Sequence, residues 1–277
     1  MFIFEILKAV VIGIVEGITE WLPVSSTGHM ILLDEIVRLN VSPRFLEMFL
    51  VVIQLGAIMA VPVLFMDRLN PFAHRRDDTQ RRAIWGIWGK VIVGAIPAAV
   101  IGFILDDLLD KYLYNYIVVA VALIVYGIAF IFVEKNRAEC KNRIESIYEM
   151  SYKDSLKIGA FQTLSLIPGT SRSGSTILGG MISGVSRQAS AEFSFFMAIP
   201  IMLGASGLKI IKFLSGGFIA SVEEIVILLV GIVVSFLVSL VVIKFLLDFV
   251  KRHDFKIFGY YRIALGILVL IYFFVKR

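Results

Sequence analysis

The sequence predicts an all-α polytopic membrane protein: a single integral membrane domain, 1–277, made of two inverted-topology repeats. Each repeat is expected to hold a re-entrant helix hairpin plus three transmembrane helices, repeat one over 1–133 and repeat two over 155–277. Three observations predict this. The chain is 58% hydrophobic and only 18% charged, with a mean hydropathy of +0.88, whereas a soluble domain is about 45–50% apolar and about 25% charged. Long apolar runs recur between short basic loops. Two further apolar segments are interrupted at their centres and resemble each other.

Met1 to Leu33 is long enough to span, since a span needs about 20 mostly apolar residues. Trp21-Leu22-Pro23 and Ser25-Ser26-Thr27-Gly28 break it, because proline removes a backbone donor and glycine weakens a helix. A helix, a turn and a second helix fits better, and such backbone is tolerated at membrane depth only inside protein or along a wet cavity. Glu5 and Lys8 in this start argue against a cleaved signal peptide. Phe45 to Met66 reads as a span containing Gln54, followed by a basic loop with Arg68, Arg75, Arg76, Arg81 and Arg82. Ala83 to Leu105 is the next span, with Trp85 and Trp88 as interfacial anchors and Pro97 as a kink. An acidic loop with Asp106, Asp107 and Asp110 is expected, then a span over Tyr112 to Val133 and a polar connection from Glu134 to Lys157.

Ile158 to Ile182 is the second broken segment, centred on I-P-G-T-S-R-S-G-S-T from Ile167 to Thr176. Phe193 to Ile211, Ile225 to Ile243 and Phe258 to Val275 are spans. Arg262 is expected to snorkel from the start of the last one. The lone cysteine, Cys140, excludes an intrachain disulfide. The net charge of +5 sits in the loops, which speaks for membrane orientation and not for nucleic acid.

The broken segments align at an offset of 146: Gly13 with Gly159, Glu16 with Gln162, Ser25 with Ser171, Gly28 with Gly174 and Ile31 with Ile177. Three spans after each force the second half upside down. All three basic loops then fall on one side, as positive-inside orientation requires. The alternative is chance likeness between two small-residue packing segments.

Ionisable groups inside an apolar run point to function. Glu16 and Glu20 are four apart and share a helix face. Their oxygens suit a hard cation that also holds a phosphate; otherwise they face water or bond neighbouring helices. Ser26 and His29 share a face at the start of the second half-helix, where a serine beside a base becomes a nucleophile. Ser25, Ser26 or Thr27 can equally cap that helix. Gly169 to Thr176 looks like an anion cradle: Gly169 and Gly174 permit tight turns, and Arg172 matches phosphate oxygens. Arg172 can instead pair permanently with Glu16 or Glu20.

E-G-I-T-E-W-L-P-V-S-S-T-G-H (Glu16 to His29) and P-G-T-S-R-S-G-S-T-I (from Pro168) resemble the signature motifs of the bacterial undecaprenyl-diphosphate phosphatase family, the bacitracin-resistance type. The resemblance covers the whole chain. It implies hydrolysis of undecaprenyl diphosphate to undecaprenyl phosphate and inorganic phosphate, which recycles the carrier lipid of cell-wall synthesis. It also implies an inner-membrane enzyme with two re-entrant hairpins, stimulated by a divalent cation (Mg²⁺ or Ca²⁺), open to the periplasm and able to form a homodimer. By position, Glu16 and Glu20 would bind the metal and diphosphate or orient the histidine. Ser26 would be the nucleophile, His29 its activator and Arg172 the diphosphate clamp, with Ser171, Ser173 and Thr176 lining the pocket. Ser25 and Thr27 remain rival hydroxyls, and a phosphohistidine at His29 remains a rival intermediate.

Two other classes compete. A transporter or flippase for an anionic lipid would also use inverted repeats and broken helices. A membrane scaffold would leave the polar motifs unexplained. A second lipid-phosphatase type needs two separated histidines and K-x6-R-P; here only His29, His74 and His253 occur, and that motif is absent.

Overall fold

The computed structural model describes residues 2–74, 76–113, 115–137 and 142–276, with the backbone alone at 106, 107, 110 and 111. Met1, Arg75, Cys140 and the side chains of Asp106, Asp107 and Asp110, all named above, lie outside the described residues. The first broken segment becomes α1 (Phe2–Thr19) and α2 (Ser26–Ile36), and the gap between them holds Trp21-Leu22-Pro23. After it come α3 (Pro43–Leu64), the short α4 (Met66–Leu69), α5 (Asp78–Leu113) and α6 (Tyr116–Arg137). The second broken segment becomes α7 (Tyr152–Thr163), a 3₁₀ turn over Leu164–Leu166 and α8 (Arg172–Ile182). The chain ends with α9 (Arg187–Ser215), α10 (Val222–Arg252) and α11 (Lys256–Lys276).

The helices α3, α5, α6, α9, α10 and α11 are long and apolar enough to cross a membrane. Phe103, Ile104, Phe132 and Phe274 stand on the outside of the bundle, where a soluble protein would place polar side chains. Pro97 and Pro200 lie inside α5 and α9 without ending either helix.

The acidic loop expected at 106–111 is not a loop: α5 continues to Leu113. Three aspartates end the apolar run, but a helix leaving the bilayer keeps its own backbone hydrogen bonds, so it need not stop where the apolar residues stop.

The packing is set by small residues. α6 lies on α11 with Gly127 against Gly259: a Cβ on Gly127 would sit 2.6 Å from the Gly259 carbonyl, and one on Gly259 2.7 Å from that of Gly127. α1 lies on α10, where a Cβ on Gly17 would sit 2.8 Å from the Ser235 carbonyl. α7 lies on α5, with Gly159 against the backbone of Gly94. Without water to drive helices together, such close approach and cross-helix hydroxyl bonds supply the association. Ser235 donates to the Ile53 carbonyl at 2.9 Å and Ser239 to that of Gly17 at 3.3 Å. α3 also packs on α10 and α9, and α9 on α5.

Candidate active site

The two breaks are built alike. Ser25 and Ser171 each carry a φ of 72° and are the only non-glycine residues with positive φ among those described. Each caps the following helix: Ser25 Oγ accepts the Gly28 N–H at 3.3 Å, and Ser171 Oγ accepts the Gly174 N–H at 3.1 Å. Positive φ in a side-chain-bearing residue is strained and persists only where the surroundings hold it.

Arg262 does much of that holding. It was expected to snorkel, but it is 0% exposed and reaches inward to both breaks. Its guanidinium donates to the carbonyl of Pro23 at 3.0 Å and to those of Gly169 and Thr170 at 2.9 and 2.8 Å. It also lies over the Tyr126 ring at 5.4 Å. Backbone carbonyls within reach fill both terminal nitrogens of Arg262, while its Nε is buried without a partner among the described residues. Gly174 leaves it room, since a Cβ there would sit 3.1 Å from Nη1. A carbonyl of each break is thus tied to one cation.

The side chains brought together are Glu20, Ser26 and Arg172. Arg172 Nη2 donates to Glu20 Oε1 at 2.7 Å, and Ser26 Oγ donates to Glu20 Oε2 at 3.4 Å. Arg172 is held from behind by α9: Nη1 donates to the Ser194 carbonyl at 2.9 Å and reaches its hydroxyl at 3.2 Å. Its guanidinium also lies 5.6 Å from the ring of Trp21, which packs edge-on against Phe195. Thr176 shares a 2.6 Å bond with the Ser194 hydroxyl. Ser173 bonds the Leu22 carbonyl at 3.3 Å and Ser171 at 3.1 Å. Gly169, at φ 94°, passes so close to α6 that a Cβ would stand 2.5 Å from the Val119 carbonyl.

His29 stands apart from this group. Its Nδ1 lies 2.7 Å from the Ser25 carbonyl and its Nε2 2.6 Å from the Tyr261 hydroxyl. Ser26 therefore meets Glu20, where sequence spacing had suggested His29. Thr27 sits half-buried beside Ser26. Glu16 is 1% exposed, and its Oε1 has no hydrogen-bond partner among the described residues. Arg172 Nε and Trp21 Nε1 are likewise buried without partners. Buried polar atoms are normally paired, so this pocket has unused capacity for a polar ligand. No group of three or more His, Cys, Asp or Glu suited to a metal occurs among the described residues. Glu16 and Glu20 alone would suit a cation whose remaining ligands are phosphate and water oxygens.

Spacing did not reveal Arg262, Tyr261 or Ser194. The available signal was an arginine within an apolar run, the same one that exposed Arg172.

Six membrane-length helices together with a buried carboxylate–guanidinium pair make this a multi-pass membrane protein with an internal polar site. More particularly, the chain belongs to the family described as bacitracin resistance protein BacA, whose model matches residues 9–268. An undecaprenyl-diphosphatase of Streptococcus mutans is 54% identical over 277 residues, 100% of this chain and 99% of that protein. An undecaprenyl-diphosphatase 1 of Clostridioides difficile is 56% identical over 272 residues, 98% of this chain and 97% of that protein. One from Enterococcus faecalis is 52% identical over 265 residues, 96% of each chain.

Proposed function

We propose that this chain hydrolyses undecaprenyl diphosphate to undecaprenyl phosphate and inorganic phosphate, at a pocket built from the two helix breaks. The observation that carries this reading is Glu20, which touches the Ser26 hydroxyl and the Arg172 guanidinium at once. Family membership and the names of its relatives supply the substrate.

The diphosphate enters as the anionic partner of Arg172 and takes over the donors that Glu20 now occupies. This releases Glu20 as a base beside Ser26. Ser26 Oγ attacks the terminal phosphorus and its proton passes to Glu20. The bond from that phosphorus to the bridging oxygen breaks, and the lipid monophosphate leaves with the electron pair. Water then attacks the phosphoserine, the proton returns from Glu20 to Ser26, and inorganic phosphate leaves with the protons of the water. Arg172, with Ser171, Ser173 and the turn at Gly169, stabilises the charge that moves onto the phosphate oxygens, where preorganised donors act most strongly. Glu16, joined by Glu20 only while that carboxylate is ionised, would hold the divalent cation, Mg²⁺ or Ca²⁺, which would neutralise diphosphate charge when bound. His29 supports the turn through Nδ1.

The inverted repeat belongs to this reading. Under the offset of 146, α1 on α10 corresponds to α7 on α5, and α3 on α10 corresponds to α9 on α5. Each broken segment therefore packs on a span of the other half. The twin serines at φ 72° support the same correspondence. The two segments would then be re-entrant hairpins from opposite faces of the bacterial inner membrane, the first opening to the periplasm. The exchanged packing also favours a second reading, movement of an anionic lipid across the bilayer.

Phosphate release from undecaprenyl diphosphate by purified protein in detergent separates the two, because detergent offers no compartments. Release is expected with Mg²⁺, abolished by a chelator and by Ser26→Ala, and lowered by His29→Ala. Folded wild type that releases no phosphate would leave lipid movement as the function. Full turnover by Ser26→Ala would remove Ser26 as nucleophile.

A further inference from the structure

One half-exposed side chain outside the site just described touches it. Tyr261 lies beside Arg262 on α11, at 46% exposure. Its ring stacks on His29 with centroids 5.6 Å apart and planes 10° from parallel. Its hydroxyl is 2.6 Å from His29 Nε2.

The chemistry of the partners fixes the imidazole. A backbone carbonyl only accepts, so the 2.7 Å contact to Ser25 requires a proton on Nδ1. In the neutral ring Nε2 is then an acceptor, and Tyr261 is the donor that fills it. Which nitrogen of a histidine carries its proton is decided by the bond the other nitrogen makes. Here both bonds agree. The Nδ1–H also holds the carbonyl of Ser25, the strained residue next to Ser26. A chain of contacts therefore runs from α11 through the imidazole to the turn that presents the nucleophile.

We infer that Tyr261 is a positioning residue of the site: its hydroxyl and ring hold His29 in the Nδ1–H form, and His29 in turn fixes the Ser25–Ser26 turn. The inference rests on the reading of Ser26 as nucleophile given above. It also gives α11 a double part, since Arg262 on the same helix ties the two breaks together while Tyr261 sets the histidine. The same contact keeps Nε2 away from phosphorus, which opposes a phosphohistidine route.

The test uses purified full-length protein in detergent, labelled with ¹⁵N-histidine. There are three histidines, and the His29 signals are identified by their loss in His29→Gln. In wild type the Nδ1 signal should be protonated and the Nε2 signal that of a hydrogen-bonded acceptor. Tyr261→Phe keeps the ring and removes the hydroxyl. It should shift Nε2 toward a free acceptor and lower kcat about tenfold with KM unchanged, the loss expected for one ordinary hydrogen bond. Tyr261→Leu, which also removes the stack, should lower kcat further. An unchanged Nε2 signal with normal kcat in Tyr261→Phe would overturn the inference, and so would a wild-type His29 protonated on Nε2. Full turnover by Ser26→Ala would instead remove the reading of the site, while the histidine signals would still report on Tyr261.

Discussion

The two helix breaks share a backbone and differ in almost every working side chain. Glu20 aligns with Leu166, Ser26 with Arg172 and His29 with Ser175. Burial differs as well. In α2 only Gly28 is buried, whereas α8 is buried from Ser173 to Met181. The first break thus presents acid, hydroxyl and imidazole at a half-open edge. The second presents one guanidinium from inside the protein. Two turns with the same strained serine lie together, and an acid on one pairs with a guanidinium from the other. The difference teaches that the proposed site depends on the pairing of the breaks, since neither holds both the acid and the guanidinium.

The largest expected effect comes from cutting that pairing. Arg172→Ala should lower kcat/KM by about a thousandfold, as loss of a preorganised donor to a developing oxyanion does. It also strands Glu20, and removing one partner of a buried pair costs about 3–5 kcal/mol. Glu20→Gln should behave similarly, and the double variant should lose much less stability than the two single losses combined. Additive losses in denaturation of the detergent-solubilised variants would show that the breaks are not energetically joined.

A smaller effect separates the two turns from each other. Gly169 aligns with Pro23. Gly169→Ala places a side chain at φ 94° against the fixed carbonyl of Val119, so a loss of about 2–4 kcal/mol is expected from backbone strain and overpacking. Pro23→Ala should cost less than about 1 kcal/mol, mostly through the unfolded chain. Thermal unfolding of the two variants measures the contrast. Equal losses would mean that the second turn is no more tightly fitted than the first.

The smallest effect concerns the outer ends of the segments. α7 starts with a capping box: Asp154 accepts from the Ser151 hydroxyl at 2.6 Å and its N–H at 3.0 Å, and from Arg143 at 2.5 Å. α1 has Glu5 in its first turn, paired with Lys8 at 2.8 Å. Burial raises the Asp154 carboxyl, but the bonds from Ser151 and Arg143 outweigh it and hold the pKa at about 2, below the ordinary 3.8. A depressed folded pKa gives stability that is complete above the unfolded value and is lost as pH falls through the folded one. Asp154→Asn should therefore lower the Tm at neutral pH, with the deficit shrinking below about pH 4 and vanishing near pH 2. A deficit constant across that window would mean that the carboxylate charge is not what stabilises this end.

Composition and apolar run length set the fold class, and each expected span has a helix over most of it, although the one expected from Tyr112 starts at Tyr116 because α5 runs on to Leu113. Phe45 to Met66, for instance, is α3, Pro43–Leu64. Hydropathy fixes these elements because a helix is the main way for one segment to satisfy its backbone in lipid. The same logic failed at Asp106 to Asp110, where charge marks the end of the apolar run and not of the helix. Both breaks were legible too, since proline next to clustered small polar residues disfavours a helix interior, whereas Pro97 and Pro200, set in apolar runs, leave their helices unbroken.

The partners were not legible. Sequence spacing put Ser26 with His29, since a helix places residues three apart on one face. The folded chain sends Ser26 to Glu20, six residues away across the break, and sends His29 to Tyr261 on the last helix. Arg262 reads as an end-of-span cation in one dimension and is a buried tie between the breaks in three. The sequence by itself determined which segments form long apolar helices, where two segments break and which residues carry charge, because those follow from local transfer energies and backbone sterics. Only the tertiary structure decided which donor meets which acceptor. A buried polar atom takes whatever partner the packing brings within about 3 Å, and residues far apart in the chain supply it.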